Sequence, residues 1–327
     1  MRYKFGKTFG YGKGMRRVLL AGSLVSFLSV FGGSAIAQEP VQTPTFKSGV
    51  DLVTVSATVK DNKGRLVRNL TVKDFEVLDR GEKRAITEFR SEKAPISIAI
   101  LFDVSGSMDV AARFTAAKFA AHHLLSWLEP GRDEAALFAF DSRLREVAPF
   151  SVDTRALQGA LGEVDPFGAT SLNDAIADAA ALVAQRTAQR RAVVVITDGI
   201  DTSSRNTPAA VSATAAAIDV PVYVIATVMS IDDPSSERAT PQARATAPSS
   251  IGTIEDLARW TGGALFYTST AASANIAARA VIDELRHLYL IAFEPGRDAG
   301  WHPLEIRTRQ KDMVVRARGG YVAGGGH

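Results

Sequence analysis

Apolar residues follow two textures along the chain, and the change between them comes near residue 94 and again near residue 288. From 96 to 102 every position except Ser97 is apolar, and 192–197 and 222–228 are similar short runs. A strand buried on both faces of a parallel sheet has this texture. Further strands are predicted at 134–140, 144–149 and 264–267. Between these runs the apolar residues recur at helical spacing, predicting helices near 108–128, 154–163, 171–187, 208–218, 253–261 and 272–287. Strand-then-helix alternation of this kind predicts an α/β domain over 94–287, with a central, mostly parallel sheet flanked by helices.

Outside those limits the period is two. Residues 50–59 alternate, as do 75–78 and 85–89, with turn residues at 61–64 and 79–82. A hairpin is predicted at Asp61-Asn-Lys-Gly64, where glycine tolerates positive φ. Strands return at 288–293, 304–308 and 313–317, separated by Pro295-Gly296 and Lys311-Asp312. Neither group of short strands covers its own apolar face. The economical prediction is one small β-sandwich-like module built from both, with an N-terminal part at 48–93 and a C-terminal part at 288–321. Residues 322–327 read as a disordered Gly-rich tail, and the Pro-, Ser- and Thr-rich stretch 229–250 reads as a mobile loop.

The first residues belong to neither texture. Six basic residues precede an apolar run at 18–31, and Ala35-Ile-Ala37 supplies a small-x-small cleavage site. Residues 1–37 are therefore read as a signal peptide, with Met15 as an alternative start, and 38–47 as a linker. The apolar run is shorter than the roughly 20 residues that span a bilayer, so no stable membrane span is expected after cleavage. The implied location is secreted, periplasmic or outer envelope. This segment also inverts the charge. The 327-residue chain has 38 Lys and Arg against 35 Asp and Glu, a net +3, but six of the basic residues and none of the acids lie in 1–37. The remainder carries about −3 and shows no basic stripe with interleaved aromatics, which argues against nucleic-acid binding. Without cysteine, the chain has no disulfide and no thiolate metal ligand.

The candidate chemistry lies at strand ends. Asp103, Ser105 and Ser107 alternate through the turn after the first apolar run, and Gly106 loosens that turn. One carboxylate and two hydroxyls are hard oxygen donors, suited to Mg²⁺ rather than zinc or copper. In Phe167-Gly-Ala-Thr-Ser-Leu-Asn-Asp174, Thr170 and Ser171 open a helix. Ser171 with Asp174 has the spacing of a capping box, which leaves Thr170 unexplained. A second buried run ends in Asp198-Gly199. All these ends lie where an open α/β sheet binds its ligands, outside the carboxyl ends of the strands. Asp141 and Asp201 occupy similar places and read as turn aspartates.

With these residues in place the chain resembles the von Willebrand factor type A (VWA) family, whose metal-ion-dependent adhesion site (MIDAS) consists of Asp-x-Ser-x-Ser, a Thr on a later loop and an Asp after the fourth strand. Asp103, Ser105, Ser107, Thr170 and Asp198 match it. The flanks, Asp74-Phe-Glu-Val77 and Val315-Arg-Ala-Arg-Gly-Gly-Tyr321, resemble a bacterial subgroup described mainly in Acidobacteria. The resemblance implies a Rossmann-like VWA domain. It implies Mg²⁺, with Mn²⁺ or Ca²⁺ as substitutes, bound directly by Ser105, Ser107 and Thr170, while Asp103 and Asp198 neutralise the ion and orient its waters. The open coordination position accepts an Asp or Glu carboxylate from a protein partner. No catalysis is expected: an aspartyl phosphatase needs a second Asp at position 105, and His122, His123, His287 and His302 all lie outside the ligand turns. The alternative is an assembly component of a cell-envelope complex in which the metal only stabilises the fold.

Overall fold

A computed structural model describes residues 52–109, 113–162, 168–217, 219–234, 236–238 and 249–324. The expected signal peptide and linker, and residues 239–248 of the expected loop, lie outside the described residues. Gly49–His327 group as one compact unit.

The N-terminal strands are β1 (Val53–Asp61), β2 (Phe75–Asp79), β3 (Glu82–Arg84) and β4 (Ile86–Arg90). The α/β region runs β5 (Ile96–Asp103), α1 (Arg113–Trp127), β6 (Glu134–Phe140), β7 (Leu144–Ser151), α2 (Thr154–Leu161), α3 (Leu172–Ala184), β8 (Arg190–Thr197), α4 (Pro208–Ala217), β9 (Val222–Thr227), α5 (Ser249–Trp260), β10 (Leu265–Thr268) and α6 (Ala271–Arg286). It is followed by β11 (Tyr289–Phe293), β12 (Gly300–Thr308), β13 (Met313–Ala317) and β14 (Gly320–Ala323).

The central sheet has the order β10-β9-β8-β5-β6-β7. Its pairs are parallel except β6 with β7, which form an antiparallel edge hairpin. All eight residues of β5 are buried because helices cover both faces. Ile96, Ile98, Ile100 and Phe102 pack toward α1, α2 and α6. Ala99 and Leu101 pack toward α3, α4 and α5. Burial of each large aliphatic side chain contributes about 2 kcal/mol, so this strand is a main anchor of the domain. Before Asp103 its one polar side chain, Ser97, donates to Glu134 Oε1 at 2.7 Å. From β5 the chain proceeds to β6 on one side, whereas β8, β9 and β10 extend on the other. The switch point therefore falls between the carboxyl ends of β5 and β8, the place where such sheets open a crevice.

The other strands build two antiparallel sheets, β13-β1-β11-β4 and β14-β12-β2-β3. Their facing sides share a core that includes Val55, Ala57, Phe75, Val77, Tyr289, Ile291, Phe293 and Tyr321. The expected fold class, a Rossmann-like domain with a sandwich drawn from both ends of the chain, is what forms.

Several local expectations differ. The Asp61–Gly64 turn closes, with Gly64 N–H donating to the Asp61 carbonyl at 2.9 Å, but the returning chain makes only a single bridge at Leu66. β1 instead pairs with β11 and β13, because those strands bury its apolar residues. The true hairpin is β2–β3, whose two-residue loop Arg80-Gly81 takes positive φ at both positions, as the twist of flanking strands favours. Position 108, the expected start of the first helix, lies in a 3₁₀ turn at Gly106–Asp109, and α1 is described from Arg113. Helix α5 starts at Ser249, earlier than predicted. The C-terminal strand β14 reaches Ala323, inside the segment read as tail, because Trp301 and Gly300 of β12 pair with Val322 and Ala323. Among the described residues no helix is long and apolar enough to cross a membrane.

Candidate metal centre

Strand β5 delivers Asp103 to the switch point with no exposed surface. Its Oδ1 accepts the Ser105 N–H at 2.9 Å, which curls the chain into the following turn. Its Oδ2 accepts the Thr197 hydroxyl at 2.5 Å from the end of β8, so the carboxylate bridges the two strands flanking the switch point. Burial pushes this carboxyl up to about 6, against the hydrogen bonds from Ser105 and Thr197, and the charge of Asp198 adds to the rise. The turn brings the Ser105 and Ser107 hydroxyls within 3.0 Å of each other.

The loop carrying Thr170 is attached from two sides. The Gly106 N–H donates to the Gly168 carbonyl at 2.9 Å, joining it to the serine turn. The N–H groups of Thr202 and Ser203 donate to the Thr170 carbonyl at 3.0 and 2.9 Å, and Thr170 N–H donates to the Thr202 hydroxyl at 3.0 Å, joining it to the segment after β8. Gly168 has φ +106°, and a Cβ there would lie 3.2 Å from Asp141 Cβ, so the close approach depends on glycine. Asp198 is buried at the end of β8, followed by Gly199 at φ +84°. Its Oδ1 accepts the Ile200 N–H at 3.2 Å, and its Oδ2 accepts Arg113 Nη1 at 3.1 Å.

The fold thus gathers the three segments holding Asp103, Ser105, Ser107, Thr170 and Asp198 at one sheet edge. Thr170 is held there through its backbone. The structural alternatives separate clearly. Ser171 makes no capping bond; its hydroxyl shares a 2.8 Å hydrogen bond with Ser203, and Asp174 accepts the N–H groups of Arg205 and Asn206 instead. The expected capping box is absent because both side chains tie α3 to the next loop. Asp141 accepts the Arg143 N–H at 2.9 Å, and Asp201 accepts those of Ser203, Ser204 and Asn173; both are turn aspartates. Thr197 and Arg113 are the two site residues the pattern did not single out. A threonine closing a strand of valines and isoleucines was a visible signal for Thr197; nothing local marks Arg113.

The donor set fits a hard divalent cation. Asp103 is a buried carboxylate whose partners here are neutral hydroxyl and amide donors, and among the described residues no cationic side chain pairs with it. Two hydroxyls and a second carboxylate stand at the same edge. A grouping of three or more carboxylate, imidazole or thiolate ligands does not occur among the described residues, so any ion would rely on hydroxyls.

Comparison with known proteins gives a family match to the von Willebrand factor type A domain over residues 98–200, a segment that contains all five of these positions. No curated protein matches the chain by sequence. Among solved structures, a von Willebrand factor type A protein from Catenulispora acidiphila is 15% identical, with 74% of this chain and 70% of that chain covered and a TM-score of 0.47. An aerotolerance-related membrane protein from Bacteroides fragilis is 20% identical, with coverage of 58% and 98% and a TM-score of 0.44. Proximal thread matrix protein 1 from the mussel byssus, a structure with a zinc-occupied MIDAS motif, is 17% identical, with coverage of 62% and 48% and a TM-score of 0.46.

Proposed function

We propose, for a chain that carries a von Willebrand factor type A domain, that it is an exported, non-catalytic binding module. It holds Mg²⁺, or Mn²⁺ or Ca²⁺ in its place, through Ser105, Ser107, Thr170, Asp103 and Asp198, and captures an Asp or Glu carboxylate of a protein partner. The observation carrying this reading is the buried Asp103 carboxylate beside two converging hydroxyls, with only neutral partners among the described residues. Such a charge is costly without a cation. An ion held largely by neutral hydroxyls keeps much of its positive charge, which favours an incoming carboxylate. The exported location rests on the N-terminal pattern of basic, apolar and small residues.

Thermal unfolding after EDTA treatment, then with Mg²⁺, Mn²⁺ or Ca²⁺, tests the site. Metal at about 100 times its Kd adds about 2.7 kcal/mol, a rise of roughly 5–10 °C at about 2–4 °C per kcal/mol. Asp103→Ala should abolish the rise; no rise in the wild type at millimolar metal would refute metal binding. Panning a peptide library with Mg²⁺ and with EDTA then tests the partner, and Asp or Glu should be enriched only with metal. Thr170→Ala should lose that enrichment while remaining folded. Enrichment unaffected by EDTA would favour assembly through another surface.

A further inference from the structure

Arg113, the first residue of α1, reaches into the metal centre. Its Nη1 donates to Asp198 Oδ2 at 3.1 Å and, more weakly, to the Ser107 carbonyl at 3.4 Å. The same guanidinium leaves its Nε buried without a hydrogen-bond partner among the described residues. A buried N–H with no partner is a desolvation cost. What holds this side chain in place is therefore chiefly the charge of Asp198, since the bond to Ser107 is long and comes from the nitrogen already engaged. Asp198 is nine-tenths or more buried and has one other hydrogen bond in its loop, from Ile200.

We propose that Arg113 is a built-in counter-ion that competes with the metal: its guanidinium neutralises Asp198 when no cation is bound and is displaced when a divalent cation takes over that charge. The proposal rests on the metal-binding reading above and concerns the regulation of that site. Two consequences follow from electrostatics. The cation must break the Arg113–Asp198 pair to bind, and the displaced guanidinium, tethered nearby, still repels it, so metal affinity is set below what the oxygen donors alone would give. The same charge keeps the loop after β8 closed without metal, so the centre is preorganised, not collapsed.

Arg113→Gln and Arg113→Lys, compared with the wild type by Mn²⁺ calorimetry and by thermal unfolding in EDTA, test this. Arg113→Gln should bind Mn²⁺ about tenfold more tightly, the effect of removing one charge at this range in a water-like dielectric. In EDTA it should unfold roughly 6 °C or more earlier, because the buried Asp198 carboxylate loses its counter-ion. Arg113→Lys, which keeps the charge, should stay near the wild type in both. Metal binding by the wild type with unchanged or weaker affinity in Arg113→Gln would overturn the proposal and leave the site standing. No binding by the wild type would overturn the metal-binding reading and this proposal with it. A readout on the unaltered protein does not depend on the variant's folding: the Arg113 Nε–H resonance, protected in EDTA, should become exchangeable on adding Mg²⁺. An unmoved, still protected resonance at saturating Mg²⁺ would overturn the proposal.

Discussion

Thr197 shows how much of the metal centre depends on one hydroxyl. It donates to Asp103 Oδ2 and accepts the Gly199 N–H at 3.0 Å, so it orients the carboxylate and the loop that carries Asp198. Thr197→Val keeps the shape and removes both bonds. A lost hydrogen bond to a buried charged group costs about 1.5–3 kcal/mol, so the unfolding free energy should fall by that amount, read as a lower denaturation midpoint at an unchanged m-value. An unchanged midpoint would mean that the bond contributes nothing. At this scale the sequence was partly readable. Asp103, Ser105 and Ser107 lie within one turn, and their alternation is a local property. The partners of Asp103 and Asp198 lie about 85 to 94 positions away, and no local pattern encodes such a meeting.

Between elements, the sandwich is fastened to the α/β domain by buried charge. Glu284 of α6 is almost fully buried, pairs with Lys60 of β1 at 2.7 Å and with Arg316 of β13. Arg316 also donates from Nε to the Gly262 carbonyl at 3.1 Å and lies over the ring of Tyr223 in β9. A second fastening is Asp219, which accepts both the backbone N–H and the hydroxyl of Ser56. Removing one partner of a buried charge group costs about 3 kcal/mol or more, because the cations left behind lose their compensation. Glu284→Gln should therefore destabilise the protein by about 3 kcal/mol in guanidinium unfolding; a loss under about 0.5 kcal/mol, the usual range for surface substitutions, would show that apolar packing alone holds the two layers. Periodicity predicted α6 and most of the strands, since each is set by its own residues, but it missed the short β3 and β14. It could not show that β1 would lie between β11 and β13 instead of folding back on itself at Asp61. That choice depends on which apolar faces are available from the far end of the chain.

Across the whole molecule, the first and last strands close one core, and Asp79 sits where they meet. It is fully buried and accepts the His302 ring Nδ1 at 2.7 Å, the Gly296 N–H at 2.9 Å and the Tyr321 hydroxyl at 3.0 Å. Burial pushes this carboxyl up, but the bonds from His302, Gly296 and Tyr321 outweigh it and hold it below the usual carboxylate range. A carboxyl whose folded value is depressed stabilises the fold above its unfolded value, about 3.9, and that stabilisation is lost as pH falls through the folded value. Stability should thus fall below about pH 4. Asp79→Asn should be less stable near neutrality and show a shallower acid limb. An acid limb identical to that of the wild type would remove Asp79 from the closure of the chain ends.

The sequence by itself determined the local backbone: where buried strands and amphipathic helices run, which turns need glycine, and which oxygen side chains stand at strand ends. These follow from periods of two and 3.6 residues and from side-chain chemistry, both legible within a few positions. Tertiary structure alone decided that Asp103 would be tied to Thr197, that Arg113 would occupy the charge of Asp198, and that strands from both termini would share one core. Those outcomes depend on complementary surfaces brought together across the chain, and packing, not periodicity, selects among them.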